Sequence, residues 1–301
     1  MNNNLGRDQV WNPDVWKVID KAVLDEVGRI RVVQKVFQSS PSPSPSNVPA
    51  DAFDREKMTI AEGKTKPFIE ISIEFSLTNS QVNDEATLRT GRTLAKMATK
   101  SLALAEDKLF LQGAKAKLDD NIKVVNRDSA EDGLLGEATG DAIEVKLLNP
   151  VHDGISAAYG EETFKAVTKA ISELNSKGQP GPYALLLESS VYADTFAPLP
   201  TTLVTTADRL TPLLTGGFYG TGTLPPNTGL LVSLGGEPTT LYVGQDAITA
   251  YTQEDKNGNF LFRVFERVQF VARDKRAFVR LAFQQAQRAD EGRAKAKGAG
   301  D

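Results

Sequence analysis

The sequence predicts an α+β fold in which one long helix lies against extended strands. Residues 68–77 alternate between apolar and polar side chains, which is the pattern of a strand with one covered face. Residues 83–112 place apolar side chains at helical spacing and stop before Gly113, where a helix is expected to end. Residues 260–271 and 277–283 are two more apolar strands, and the short charged segment between them predicts a hairpin.

A helix and an irregular segment are predicted before these strands. Residues 14–33 repeat apolar side chains along one side, and Asp14 is placed to cap the helix N-terminus. Residues 39–49 contain a Ser-Pro run, in which each proline lacks an amide N–H and forces the preceding residue to be extended. We therefore expect an exposed, stiffened segment there, and neither a helix nor a central strand.

The middle of the chain predicts one further helix, over 162–175, and three short apolar strands. These strands are 183–187, 230–234 and 240–243. Residues 284–301 contain no aromatic or branched apolar side chain and gain little by packing, so they predict a flexible tail.

The amino-acid composition limits which binding partners and which cellular compartment are expected. The 301 residues include 40% hydrophobic and 25% charged side chains, which is ordinary for a globular protein. The net charge is −4, with 35 Lys and Arg among 39 Asp and Glu, so we do not expect nucleic acid as the main partner. The absence of cysteine excludes thiolate chemistry and fits a reducing compartment. No signal peptide and no membrane span of about 20 apolar residues is present, so a soluble, cytoplasmic protein without a membrane partner is expected.

Candidate catalytic and metal-binding residues are few. His152 is the one histidine, and without a Gly-x-Ser-x-Gly elbow it is expected to be a surface or turn residue. A metal site without cysteine needs oxygen ligands, but residues 119–121 lack the spacing and the glycine of a calcium loop. Glu161 and Glu162 suit a helix N-terminus better than an acid–base pair. We therefore predict no catalytic residue, no metal and no cofactor, with a hydrolase as the enzymatic alternative.

The order of these elements allows a comparison with a known family. The landmarks are Trp16, Ile19 and Asp20 in the first helix, the alternating strand to Leu77, and the segments 106–113, 133–135, 178–186 and 243–251, followed by the strand that ends at Phe283. In this order and spacing the sequence resembles the encapsulins, the linocin-like shell proteins that share the HK97-like capsid fold of tailed phages.

The resemblance implies a division of the chain into five parts. They are an N-terminal lumen-facing helix and first strand (1–36), an extended loop (37–78), a peripheral domain with the long spine helix (79–148 and 243–283), an axial domain (149–242), and the flexible tail (284–301). The Ser-Pro run falls within the extended loop, which is a departure expected to alter how tightly neighbouring subunits interlock.

The resemblance also implies a function. Encapsulins are structural subunits that assemble into icosahedral nanocompartments, so a large closed homo-oligomer is expected, enclosing a cargo enzyme of the peroxidase or ferritin-like type. The cargo is expected to carry a short C-terminal targeting peptide that binds an apolar groove at the N-terminal helix. By position, the groove residues are Trp16, Ile19, Val23, Ile30 and Val33. The alternative for these five is that they pack into the core of their own subunit.

Two more sets of residues follow from the resemblance. The extended loop, taken as a two-stranded arm, cannot bury its own alternating apolar face, so its side chains are expected to contact a neighbouring subunit through an interface above about 2,000 Å². These residues are Ile69, Ile71, Ile73 and Phe75. Pores form in the family where axial-domain loops meet. The predicted lining residues are Leu199, Thr201 and Thr202, and the alternative is an ordinary surface loop.

A phage major capsid protein of the same fold is the main alternative function. A shell that packages a genome tends to have a basic inner surface, which the acidic composition does not indicate. The hydrolase or bacteriocin alternative depends on His152.

Overall fold

The structure is a computed structural model that describes residues 5–41, 44, 46–54, 57–148, 157–199 and 203–285. The chain forms two compact units, one within residues 1–139 and 233–278 and the other within 140–232 and 279–301. Among the described residues, no helix is both long enough and apolar enough to span a bilayer.

The helices of the described residues are α1 (Pro13–Ile30), α2 (Val33–Val36), α3 (Asn79–Asn83), α4 (Glu85–Leu88), α5 (Thr90–Gln112), α6 (Gly133–Glu137), α7 (Glu161–Ser176), α8 (Ser189–Asp194) and α9 (Thr206–Leu210). The strands are β1 (Ser39–Pro41), β2 (Asn47–Pro49), β3 (Ala52–Asp54), β4 (Thr59–Ala61), β5 (Thr65–Pro67), β6 (Ile69–Leu77), β7 (Ile122–Val125), β8 (Ile143–Val145), β9 (Tyr183–Glu188), β10 (Gly217–Thr221), β11 (Thr228–Ser233), β12 (Thr239–Glu254), β13 (Phe260–Ala272) and β14 (Phe278–Phe283).

The first unit is built on a five-stranded sheet in the order β1-β12-β13-β6-β7. The spine helix α5 packs on β6 and β13, and α1 packs on α5 and β12. The apolar side chains of β6 at positions 69, 71, 73 and 77 are buried beneath α5. The predicted strand is therefore confirmed, and the element that covers its apolar face is α5 of the same unit.

An arm extends from this sheet, and we define it as residues 46–67. Its base pairs β2 with β5, and its outer part pairs β3 with β4. Val48 anchors the base by packing against Tyr242 and Val271 of the sheet and against Phe68, which lies just before β6. The Ser-Pro run enters the arm through the edge strand β1, a position where proline is tolerated because no further strand needs its amide.

The first helix begins one residue earlier than predicted. Pro13 occupies its first position, and the Asn12 side chain caps it by accepting the Val15 amide at 3.0 Å. Asp14 lies in the first turn, so the predicted cap was wrong by two residues. Asp14 still complements the helix dipole there.

The predicted long helix over 83–112 is interrupted, and α3, α4 and α5 occupy this region. Arg89 has φ 55°, a left-handed conformation that separates α4 from α5. The Glu85 carboxylate then accepts the Gly91 amide at 2.7 Å and the Arg92 amide at 2.9 Å, which satisfies the first free amides of α5. The helix ends before Gly113, as predicted.

The second unit has its own five-stranded sheet, in the order β10-β9-β11-β14-β8. Side chains of α7 cover it, and Val167, Ala170 and Leu174 share one core with Leu185 and Leu281. The helix predicted over 162–175 and the strand predicted over 183–187 are confirmed with bounds extended by one residue or so.

The predicted hairpin of residues 260–271 with 277–283 is wrong. β13 pairs with β12 and β6, whereas β14 lies in the sheet of the second unit. The charged segment between them forms a short turn in which Asp274 accepts the Arg276 amide. The last strand of the predicted peripheral domain therefore lies with β8 and β11.

Candidate functional site

A cleft of about 530 Å³ runs along α1. Its apolar lining includes Trp11, Trp16 and Leu24, and charged side chains surround these. The charged lining residues are Arg7, Asp8, Lys17, Asp20, Lys21 and Asp25. An apolar floor with charges of both signs at its edge is suited to a short amphipathic peptide.

Arg7 holds one side of this cleft in place. Its guanidinium binds both Asp20 carboxylate oxygens, at 2.6 and 2.8 Å, and lies 4.7 Å from the centre of the Trp16 ring. The Trp16 indole N–H in turn donates to the Arg7 carbonyl at 3.0 Å. These bonds fix the segment before α1 against the helix, so the cleft is formed in the free chain.

The floor of the cleft belongs to an aromatic cluster. The Trp11 ring stacks on the Phe262 ring and meets the Trp16 ring edge-on, with ring centres 4.9 Å apart in both pairs. The Phe75 ring stacks on the Phe262 ring, with the ring centres 5.4 Å apart. Aromatic pairs of this kind contribute about 0.5–1.5 kcal/mol each beyond their buried area. The cluster therefore attaches α1 firmly to the sheet.

The five predicted cargo residues are not brought together on one surface. Ile19, Val23 and Val33 are fully buried in the core of their own unit. Trp16 is almost buried, although it contributes to the cleft floor, and Ile30 is half-buried at the end of α1. The alternative interpretation, packing in the chain's own core, describes Ile19, Val23 and Val33, because α5 and β12 cover that face of α1 and α5 also contacts α2.

A group of charged side chains is buried where α1 ends, and we call Arg31, Glu106, Asp107, Asp246 and Glu266 the Arg31 cluster. The Arg31 guanidinium contacts Glu106 of α5 and Glu266 of β13, and its Nη1 is 3.2 Å from Asp246 Oδ1 of β12. All except Asp246 are buried. One arginine thus joins the first helix, the spine helix and two strands.

Asp107 and Glu106 also hold α2. The Asp107 carboxylate accepts the Val32 amide at 2.8 Å and the Val33 amide at 3.0 Å, and Gln34 Nε2 donates to Glu106 Oε1 at 2.7 Å. Burial raises the pKa of Glu106. Burial and the adjacent Glu106 carboxylate raise the pKa of Asp107 to about 7, against the lowering effect of the two amides.

A second tie between α1 and α5 lies nearer the surface. The Glu26 carboxylate is 3.2 Å from Lys96 Nζ and 3.5 Å from Lys100 Nζ. Burial by itself raises the pKa of Glu26, but the two ammonium groups outweigh it and hold the pKa below its usual value. This carboxylate is therefore ionised throughout the neutral range.

The structure places Ile69, Ile71, Ile73 and Phe75, which were predicted to contact a neighbouring subunit, within one unit of the chain. They belong to β6 in the central sheet, where α5 covers the three isoleucines and Phe262 stacks on Phe75. The arm is shorter than predicted, because the predicted loop over 37–78 included both β1 and β6.

The exposed apolar side chains of the arm are at its outer end. Met58 is 87% exposed and Ile60 is 52% exposed. Exposed apolar side chains near the end of a hairpin are a candidate contact surface for another molecule. No sequence pattern distinguished them from other apolar residues, since β4 is too short for an alternation to be recognised.

The predicted pore loop is described in part. Leu199 is half-buried near Gly160, while Thr201 and Thr202 lie outside the described residues. Pro198 pairs with Thr205 across the loop, and Leu203 is 96% exposed.

His152, the one histidine, lies outside the described residues. Within the described ranges, no group of three or more His, Asp or Glu side chains is arranged to hold a metal ion.

The architecture is that of the HK97-type capsid proteins. The subunit of a virus-like particle from Pyrococcus furiosus matches 87% of this chain and 96% of that chain, with a TM-score of 0.63 and 18% identity. The SrpI encapsulin of Synechococcus elongatus, solved as a holo complex, matches 83% and 86% at a TM-score of 0.53 and 7% identity. The capsid of Myoviridae phage XM1 matches 84% and 91% at a TM-score of 0.54 and 10% identity. These likenesses establish the fold.

The sequence establishes the family. Residues 2–269 match the linocin family, which is described as encapsulating protein for peroxidase. The type 1 encapsulin shell protein EncA of Myxococcus xanthus is 31% identical over 121 residues, and the match spans 40% of this chain and 41% of that relative. The chain therefore belongs to the encapsulin family.

The Arg31 cluster was missed by the sequence analysis, although a signal was present. The end of α5 is apolar almost all round, with Leu102, Leu109 and Phe110 fully buried, so Glu106 and Asp107 between them had no exposed face to occupy. Two carboxylates in such a stretch indicate a buried cation, and Arg31 follows the apolar stripe of α1.

Proposed function

We propose that this chain is the structural subunit of a closed encapsulin compartment that encloses a cargo protein. The observation that carries the proposal is the family match over residues 2–269, to which the capsid fold adds support. The family description favours a peroxidase as the cargo. A ferritin-like enzyme is the alternative that the resemblance to encapsulins implies. A cytoplasmic compartment remains the expected location. The experiment that tests the proposal is production of the chain alone, followed by electron microscopy for hollow particles.

The arm supplies the contact between subunits in this proposal. Met58 and Ile60 project from the outer part of the hairpin, and a second copy of the chain is the partner that an obligate shell provides. Covering one such side chain stabilises a contact by about 1.5–3 kcal/mol. The arm therefore replaces β6 as the interlocking element.

Replacing Ile60 by Asp is expected to weaken assembly without unfolding the subunit. A loss of about 1.5–3 kcal/mol per contact raises the subunit concentration needed for assembly roughly ten- to hundredfold. Sedimentation across a dilution series measures this concentration. The matched control is Val18→Asp, which places the same charge at a 53% exposed position on α1. Equal assembly of Ile60→Asp and wild type would remove the arm from the proposed interface.

The cleft along α1 is the proposed docking site for the targeting peptide of the cargo. Its apolar floor provides an anchor position, and Leu24, which is 46% exposed at its edge, is available to contact an apolar peptide side chain. Trp16, one of the predicted cargo-binding residues, remains part of this proposed site because it lies in the floor of the cleft. Leu199, Thr201 and Thr202 remain the proposed pore lining.

Replacing Leu24 by Asp is expected to weaken peptide binding about tenfold, because it removes half of a leucine's burial and puts a charge at the apolar anchor. The probes are peptides selected by display on disassembled wild-type subunits, and their affinity for the disassembled subunits of each variant is measured by fluorescence polarisation. Val18→Asp again serves as the control, since Val18 is on the same helix but does not line the cleft. Unchanged affinity for Leu24→Asp would place the docking site elsewhere.

A further inference from the structure

The Arg31 cluster contains more buried acid than buried base. Glu106, Asp107 and Glu266 are buried around a single guanidinium, that of Arg31. Asp246 adds a fourth carboxylate from the surface side. Among the described residues, the charged groups that contact this site are Arg31 from the end of α1, two carboxylates from α5, and one each from β12 and β13. The α2 side chain that reaches the site, Gln34, is neutral.

Three buried carboxylates cannot all be ionised beside one arginine. Desolvating a second unpaired negative charge costs more than holding a proton, so one carboxyl group keeps its proton at a pH where it is normally lost. The Glu106 and Asp107 carboxyl groups act on each other electrostatically, so the pair titrates as a unit that holds one proton. Gln34 can turn its amide to accept from a protonated Glu106.

We propose that Glu106 and Asp107 share one proton that locks the α1–α2 junction onto the spine helix, and that losing this proton above neutral pH loosens the junction. The junction is held there by the Arg31 contacts and by the two amide bonds from Val32 and Val33 to Asp107. Loosening it frees the end of α1 while Trp11 and Trp16 continue to hold its start. This lock concerns the folded chain and does not rest on the proposed cargo function.

The direction of the pH effect follows from linkage. The pKa of Asp107, about 7 in the folded chain, lies above its ordinary value of 3.8, so the folded state binds the proton more tightly than an opened junction does. The stabilisation is complete at acid pH and is lost as the pH rises through about 7. Between pH 6 and pH 8.5, the fraction of open junction is expected to rise about tenfold.

Hydrogen exchange of the full chain, followed by mass spectrometry, tests this lock. Protection of a peptide covering residues 26–37, corrected for intrinsic exchange, is expected to fall about tenfold between pH 6 and pH 8.5. Burial, the larger cause of the raised pKa of Asp107, remains in Glu106→Gln, which keeps the shape and removes the second cause, the Glu106 charge. In this variant the pH dependence is expected to be clearly smaller than in wild type.

Glu26→Gln is the matched control, because it alters a carboxylate between the same two helices whose pKa is already low. It is expected to keep the tenfold pH dependence of wild type. A wild-type peptide whose protection is flat between pH 6 and pH 8.5, or a Glu106→Gln variant with the full tenfold change, overturns the proposal. If Glu106→Gln does not fold, the wild-type profile alone decides.

Discussion

Replacing Arg31 by Met is expected to lower the free energy of unfolding by about 3–5 kcal/mol. Met fills much of the space but leaves Glu106 and Glu266 buried without their cation. Breaking a buried ion pair from one side is costly because the remaining charge cannot reach water. The loss is expected to be larger at pH 8 than at pH 5, since more of the cluster is then ionised.

Denaturant unfolding of disassembled subunits, followed by tryptophan fluorescence, measures this loss. Arg263→Met is the matched control, because Arg263 pairs with Glu70 at 3.1 Å on a partly exposed face of the sheet. The control is expected to lose about 1 kcal/mol or less, as surface pairs do. Equal losses for the two variants would mean that burial of the Arg31 cluster has no energetic consequence.

Gly113→Ala is expected to be almost as damaging, with a loss of about 4 kcal/mol. Gly113 has φ 77° and ψ −163°, a region that is open essentially to glycine alone and costs other residues about 1–3 kcal/mol. In addition, a Cβ atom there would lie 2.3 Å from the Glu131 carbonyl oxygen and 2.6 Å from the Gly133 nitrogen. Both contacts are with backbone, so the end of α5 and the segment before α6 must separate, at a further cost of about 1–3 kcal/mol.

Gly140→Ala separates the two contributions to this loss. Gly140 also has a left-handed backbone, with φ 92°, but an added Cβ meets no atom within 4 Å. Its replacement is expected to cost about 1 kcal/mol, from backbone strain alone. The melting temperatures of both variants, measured under the same conditions, give the comparison. A Gly113→Ala variant as stable as Gly140→Ala contradicts the close backbone packing at the end of the spine helix.

The strand β6 shows which features a sequence pattern can predict and which it cannot. The alternation over residues 69–77 correctly predicted a strand with one covered face, because period two is a property of the backbone itself. What covers that face is decided by segments distant in sequence. The pattern was therefore equally compatible with a neighbouring subunit and with α5, and the structure shows α5.

The same limit applies to β14 and to the first helix. An apolar strand that follows another closely predicts a hairpin, but the alternative partners β11 and β8 have no local signal in the sequence. Along α1 the apolar stripe gave the helix, whereas the cleft beside it depends on Arg7 folding back onto Trp16 and Asp20. Such contacts join residues whose spacing fits no periodic pattern.

Sedimentation velocity of the purified wild-type chain tests most directly the claim that it is a shell subunit. A single large, uniform particle with the absorbance spectrum of protein is expected. A particle that carries nucleic acid would favour the phage-capsid alternative of the same fold. A compact, cooperatively folded monomer at every concentration, with no large species, would contradict the claim.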